Sequence, residues 1–167
     1  MRYGQIRKYD VANGPGIRTS IFVTGCPFKC EGCFNEEYQS KENGTIWTKS
    51  EEDRLIKFVS SKHVSGLSVL GGEPLAQDDD LLNLLERVKR ETKKSIWLWS
   101  GYRFEQLNQK QLNVLKYVDV LVDGLFILNK KNLKLKFRGS SNQRIIDLNK
   151  TRDQGKIVIW SGLKPGQ

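Results

Sequence analysis

Thr19-Ser20-Ile21-Phe22-Val23-Thr24 runs without a break into Gly25, and then into Cys26-Pro27-Phe28-Lys29-Cys30-Glu31-Gly32-Cys33. The first six residues are apolar and β-branched, the composition of a buried strand. The rest is Gly, Pro and charge, which reads as a loop. That loop holds every cysteine of the 167-residue chain, at C-x3-C-x2-C spacing. Three thiolates suit three irons of a four-iron, four-sulfur cluster and leave the fourth iron open to a small molecule. A cluster that only carries electrons usually takes four protein ligands. Structural zinc also wants four ligands. The single imidazole, His63, stands thirty positions beyond Cys33 and outside any finger-like spacing. An open-site cluster, zinc and uncoordinated thiols all remain open on the cysteines alone. The odd count and the chain length argue against a disulfide framework.

Working outward, Leu67–Leu70 (LSVL) reads as a second short buried strand, ending in Gly71-Gly72-Glu73-Pro74. Between the two strands, Ser50-Glu51-Glu52-Asp53 looks like a capping box opening a helix. Asp78 to Lys93 is a strongly amphipathic helix, with Leu81, Leu82, Leu84, Leu85 and Val88 on its apolar face. Acids crowd its start and bases its end, as the helix dipole favours. Ser95–Ser100 (SIWLWS) is the next strand, with Trp97 and Trp99 on one face as core candidates. A helix over Phe104 to Leu115 leads to a strand over Tyr117 to Asp123. Leu133, Leu135 and Phe137 alternate with Lys134, Lys136 and Arg138, a half-buried strand pattern. A short helix near Asn142 to Leu148 and a last strand, Lys156 to Trp160, follow.

Strands alternating with helices imply parallel strands with right-handed crossovers. The chain is too short for an eight-fold barrel, which takes about 250 residues. The expected fold is α/β, an open partial (βα)6 barrel of mostly parallel strands, in one domain spanning 1–167. Ligands of such sheets sit at the carboxyl ends of the strands. The cysteine loop, the Gly71 turn, Ser100-Gly101, Asp123-Gly124 and Ser161-Gly162 would gather there.

Net charge is +9, from 28 Lys and Arg against 19 Asp and Glu. Such a surface attracts nucleic acid or an acidic protein. The densest stretch, Lys130 to Arg138, lacks the regular aromatic interleaving of a single-strand binder. A solvated basic face, or a docking surface for an acidic protein, is therefore expected in place of direct nucleic-acid binding. No apolar run approaches membrane-spanning length. Unpaired thiols and the absence of a signal-like segment point to the cytoplasm.

Gly71-Gly72-Glu73-Pro74 lets a ligand approach the backbone closely. Its carbonyls and the Glu73 carboxylate can accept hydrogen bonds from an ammonium group. Together with the three-cysteine loop on the preceding strand, it resembles the radical S-adenosylmethionine superfamily. Asn13-Gly14-Pro15-Gly16-Ile17-Arg18-Thr19 is similar to the segment before the cluster loop in glycyl-radical-enzyme activases. Trp97 to Tyr102 and Arg138 to Arg144 resemble the family that activates the anaerobic ribonucleoside-triphosphate reductase. The likeness spans Asn13 to Trp160.

The resemblance implies a [4Fe-4S] cluster on Cys26, Cys30 and Cys33, with S-adenosylmethionine as second cofactor. It implies that Gly71, Gly72 and Glu73 hold the methionine amino group, with Phe34 facing the adenine. Ser100 is placed for a polar cofactor contact, and Asp123 matches a family position. The Lys that some activases carry just after it is replaced, since Gly124-Leu125 follows Asp123, and Arg138 is the substitute toward the cofactor carboxylate. Gly32 stands where the superfamily often has an aromatic, and Phe28 where the reductase activases often have His. The implied chemistry is reductive cleavage of S-adenosylmethionine to a 5′-deoxyadenosyl radical, which makes a glycyl radical on the large subunit of the reductase. The implied electron donor is flavodoxin- or ferredoxin-like. The alternatives are an activase of another glycyl-radical enzyme, such as pyruvate formate-lyase, and a zinc or iron–sulfur nucleic-acid-binding module.

Overall fold

In the computed structural model, which describes residues 1–162, the opening segment is strand β2, Arg18–Val23, with all six residues buried. It pairs in parallel with β4 (Gly66–Gly71), β4 with β5 (Ser95–Ser100), and β5 with β6 (Val120–Asp123). Three helices make the crossovers: α1 (Lys49–Val59), α2 (Asp79–Thr92) and α3 (Gln109–Leu115). Outside this parallel centre the sheet turns antiparallel. β1 (Arg2–Asp10) runs against β2 and carries the two-residue β3 (Thr45–Ile46) on its outer edge. β7 (Arg144–Asp147) runs against β6, and α4 (Leu148–Gln154) follows it.

The sheet order is β3-β1-β2-β4-β5-β6-β7. The expected (βα)6 barrel is therefore corrected: this is a mixed, open sheet of seven strands with four helices. A parallel neighbour needs a long crossover, usually helical. Residues 11–17 and 124–143 contain no α-helix, so the strands they lead to lie antiparallel.

Other elements also differ from expectation. β1 was not legible, because Tyr3 and Ile6 are its only large apolar residues besides Tyr9, which is exposed. Leu133, Leu135 and Phe137 form no strand. Asn132 donates to the Gly139 carbonyl at 3.2 Å, and Phe137 takes a left-handed φ of 61°, which folds the segment back on itself. The expected helix at Asn142 to Leu148 is instead β7, and the helix begins where the Asp147 carboxylate caps the Lys150 N–H. Lys156 to Trp160 contributes one isolated bridge, Ile146 to Ile159, and no strand. The helix expected over Phe104 to Leu115 is a 3-10 turn followed by α3. α1 opens slightly early, capped by the Thr48 side chain on the Glu51 N–H.

Strand alternation divides the core into two layers. Ile21, Leu67, Val69, Ile96, Leu98 and Leu121 face the helices. Leu81, Leu84, Leu85 and Val88 of α2 pack among them, each burial stabilising by roughly 1.5–3 kcal/mol. The Asp78 side chain caps α2 on the Asp80 N–H. Trp97, Val120, Val122 and Ile145 point the other way and pack with Trp99, Phe137 and Trp160. Arg18 lies at the amino-terminal end of β2 and is buried. Among the described residues it pairs with no carboxylate: it donates to the Ser68 and Ser95 hydroxyls and to the Leu67 and Ser95 carbonyls. No helix among the described residues is long and apolar enough to cross a membrane.

Candidate functional site

At the carboxyl ends of the parallel strands lies a cavity of about 530 Å3. Cys26, Cys30, Cys33, Phe34, Gly71, Gly72, Glu73, Ser100 and Arg138 all line it. Asp123, Ser161 and Gly162 do not. His63 is an exposed residue in the turn after α1.

The cysteine loop is anchored by its own return. Gly25 and Cys26 donate through their amides to the Tyr38 and Gln39 carbonyls, both at 2.9 Å. Within the loop, the Cys33 amide donates to the Cys30 carbonyl at 3.3 Å, and the Asn35 amide faces the Cys33 sulfur at 3.4 Å. Burial pushes the Cys26 thiol up to about 11, against a backbone amide at Phe28 and with Glu73 and the other two thiols adding to the rise. Cys30 is raised for the same first reason. These thiols keep their protons at neutral pH until a metal displaces them.

Among the described residues no three His, Cys, Asp or Glu side chains converge on a single ion. Structural zinc needs its ligands around one centre. A four-iron cluster gives each cysteine its own iron. Three thiols that line one cavity suit a cluster that takes one cysteine per iron.

The glycine turn is held against this loop. The Gly72 amide donates to the Val23 carbonyl at 2.7 Å, and the Glu73 amide to the Gly25 carbonyl at 2.9 Å. Gly71 has a φ of +109°, and a Cβ there would stand 2.5 Å from the Val23 carbonyl oxygen. A Cβ on Gly72 would stand 2.6 Å from the Gly25 carbonyl oxygen. Both positions exclude any larger residue, because β2 and β4 end in backbone contact.

Glu73 is 1% exposed. Its carboxylate accepts the Leu75 N–H at 2.9 Å, the Ser100 hydroxyl at 2.8 Å and the Gly101 N–H at 2.7 Å. Burial pushes its carboxyl up to about 7, and those three donors oppose the shift. A carboxylate accepts about four hydrogen bonds. Three are used inside the protein, which leaves one, and Glu73 lines the cavity. The Ser100 hydroxyl is likewise committed, donating to Glu73 and accepting from the Tyr102 amide.

Asp123 sits beside Ser100 in the β5–β6 register and opposite Arg144. Its carboxylate takes the Arg144 guanidinium on both oxygens and the Phe104 N–H at 2.8 Å. Arg144 in turn holds Glu105. This network ties the strand ends together beneath the mouth. Arg138 donates to the Gln143 carbonyl at 2.7 Å on the cavity wall. Phe34 stands at the rim, 55% exposed, 5.1 Å from the Phe126 ring and 5.0 Å under the Lys131 ammonium.

Three residues of the site were not read as site residues from the sequence. The Gln77 side-chain amide lies within 3.1–3.5 Å of the carbonyls of Thr24, Gly25 and Glu73, locking the cysteine loop to the glycine turn. It precedes a helix cap and looks like an ordinary loop amide; only its place three residues after Pro74 links it to the motif. The Gln143 side chain accepts the Gly139 and Ser140 amides and donates to the Gly124 carbonyl, shaping the wall that carries Arg138. Trp97 belongs to the core, but Trp99 walls the cavity, its indole N–H donating to the Phe137 carbonyl at 2.8 Å.

Residues 12–146 match the family described as a 4Fe-4S single cluster domain. The chain is 44% identical over 148 residues to the anaerobic ribonucleoside-triphosphate reductase-activating protein of Enterobacteria phage T4, covering 87% of this chain and 93% of that one. It is 42% identical over 150 residues to the protein of that name from Vibrio cholerae, covering 87% and 97%. For the one from Escherichia coli K12 the identity is 39% over 148 residues, covering 86% and 96%. With its three cysteines, its glycine turn and relatives of this kind along nearly its whole length, the chain belongs to the family of anaerobic ribonucleoside-triphosphate reductase-activating proteins.

Proposed function

We propose that this protein cleaves S-adenosylmethionine reductively and so generates a glycyl radical on the large subunit of an anaerobic ribonucleoside-triphosphate reductase. One observation carries the proposal: the three cysteines and the Gly71-Gly72-Glu73 turn line one cavity, and backbone hydrogen bonds from the turn reach the residues leading into the cysteine loop. Held by Cys26, Cys30 and Cys33, a [4Fe-4S] cluster would supply the electron and an open iron for the methionine end of S-adenosylmethionine.

The residues of the chain position and shield; they need no acid–base pair or nucleophile. The glycine turn and the remaining acceptor position of Glu73 receive the methionine ammonium. Ser100 holds Glu73 in place for that contact. Phe34 and Trp99 give apolar walls for the adenine, and Arg138 is the cation for the cofactor carboxylate. Asp123 acts from beneath, through Arg144 and Phe104, by fixing the strand ends that carry Ser100. The partner's glycine segment closes the mouth, and a flavodoxin- or ferredoxin-like protein supplies the electron. Such positioning can account for up to about 7–11 kcal/mol of a barrier.

The test is anaerobic. Protein reconstituted with iron and sulfide, then reduced, should form 5′-deoxyadenosine from S-adenosylmethionine and lose that activity in Cys30→Ala. With the purified reductase it should yield a glycyl radical in the electron paramagnetic resonance spectrum. A signal on pyruvate formate-lyase and none on the reductase would move the substrate; tight zinc with no cluster would defeat the proposal.

A further inference from the structure

We propose that the outer side of the cysteine loop, with the neighbouring Leu128–Lys130 turn, is the docking surface for an acidic one-electron carrier protein. This rests on the function proposed above, which requires a cluster in that loop. The cavity has to hold the cofactor and the partner's glycine together, so the carrier must approach from elsewhere. Lys29, Glu31 and Gly32, between the three cysteines, are exposed. An electron for a cluster held by the three cysteines would enter through this exposed stretch.

The Leu128–Lys130 turn packs onto this loop. A Cβ on Gly32 would stand 2.9 Å from a Leu128 methyl carbon, and the Phe126 backbone amide faces the Cys30 thiol. Leu125, Ile127 and Leu128 are 39–41% exposed, giving the surface an apolar centre. Beside it a groove of about 580 Å3 runs between Phe28, Tyr102, Arg103, Leu125 and Ile127. Phe28 lines both that groove and the cavity of the cysteines, with the Tyr102 ring 4.8 Å from its own.

The rim is cationic. Lys49, Lys89, Lys110 and Lys150 are tied into ion pairs, whereas among the described residues Lys29, Lys130 and Lys131 are not. Glu31 offsets Lys29 within the loop. The excess comes from Lys130, Lys131 and Arg103, the last only 3.9 Å from Glu105 in a loose pair. An apolar centre with a charged rim is the make-up of a transient interface, and the rim selects an acidic partner by steering its approach. The transfer is simple to balance: the carrier loses one electron, the cluster gains it, and no atom moves.

Photoreduced flavodoxin serves as the acidic carrier and dithionite as the small control. The Arg103→Glu/Lys130→Glu double variant should slow cluster reduction by flavodoxin about tenfold or more at low salt and flatten its salt dependence. Its reduction by dithionite should be unchanged, as should both rates in Lys57→Glu on α1. Oxidised flavodoxin added to the cluster-free protein should shift amide resonances at Lys29, Gly32 and Ile127 to Lys131. An unchanged flavodoxin rate in the double variant would overturn the proposal. So would a drop in glycyl-radical yield from its dithionite-reduced form, which would give this surface to the reductase. Failure of dithionite-reduced wild-type protein to cleave S-adenosylmethionine would strike the proposed function instead, and the flavodoxin shifts would still report on docking.

Discussion

Glu73 shows how one side chain can serve both architecture and chemistry. Its carboxyl titrates near 7 in the folded protein against 4.5 as its ordinary value, because burial outweighs the donors from Gly101, Leu75 and Ser100. A carboxyl raised by folding holds its proton more tightly in the native state. Its contribution to stability is therefore complete below about pH 4.5 and is lost as pH rises through about 7, by up to roughly 3 kcal/mol. Urea midpoints of the cluster-free protein should fall across that window, and Glu73→Gln should remove this part of the slope. The same variant turns an amide N–H₂ toward a backbone N–H, at Gly101 or at Leu75, and should cost about 1–3 kcal/mol at pH 7. Saturating S-adenosylmethionine, by placing an ammonium beside the carboxylate, should be bound with proton release near pH 6, measurable by calorimetry in two buffers of different ionisation heat. At this scale the sequence spoke clearly where chemistry needs rare residues, as at Cys26, Cys30, Cys33, Gly71 and Gly72. It was silent at Gln77 and gave Gln143 only as part of the Arg138 to Arg144 likeness, since the work of both depends on which backbone groups the fold brings to them.

Strand ends are what the site is made of, and the Asp123–Arg144 pair decides how two of them meet. Asp123 is 1% exposed, and without Arg144 it would keep only the Phe104 amide. Arg144→Leu should lower stability by about 3–5 kcal/mol, because a buried charge is left without its partner. Chemical denaturation gives the value. Leu84→Ala on α2 should cost about 2–5 kcal/mol by opening a hole among fully buried neighbours. Elements with strong local signals were legible: SIWLWS is β5 to the residue, and Asp78 is the cap of α2. Those at the sheet margins were not. β1 faces solvent along much of its length and lacks an apolar alternation. Leu133 to Phe137 has such an alternation, but the left-handed Phe137 and the Asn132–Gly139 hydrogen bond fold the segment back on itself.

Across the whole molecule, the frame does not depend on the metal. The helix-side core holds four buried positions of the β4–β5 pair and the stripes of α1 and α2, and none of the cysteines belongs to it. Cys30→Ala and chelated protein should therefore keep the wild-type far-ultraviolet circular dichroism and lose only the visible iron–sulfur absorbance. A collapse of the circular dichroism on chelation would contradict a frame that folds first. The sequence implied the parallel centre, because three helical crossovers are written in it. The antiparallel flanks escaped because a missing helix leaves no periodicity to read. The backbone contact between the ends of β2 and β4 also has a consequence in time. Cys33 and Gly71 are 38 positions apart. On a ribosome adding about 5–20 residues per second, the cysteines emerge roughly 2–8 s before the turn that braces them. For that interval the thiols follow a strand that has β1 but not yet β4 beside it, open to stray metals and oxidants, and cluster delivery has a natural start signal in the arrival of β4.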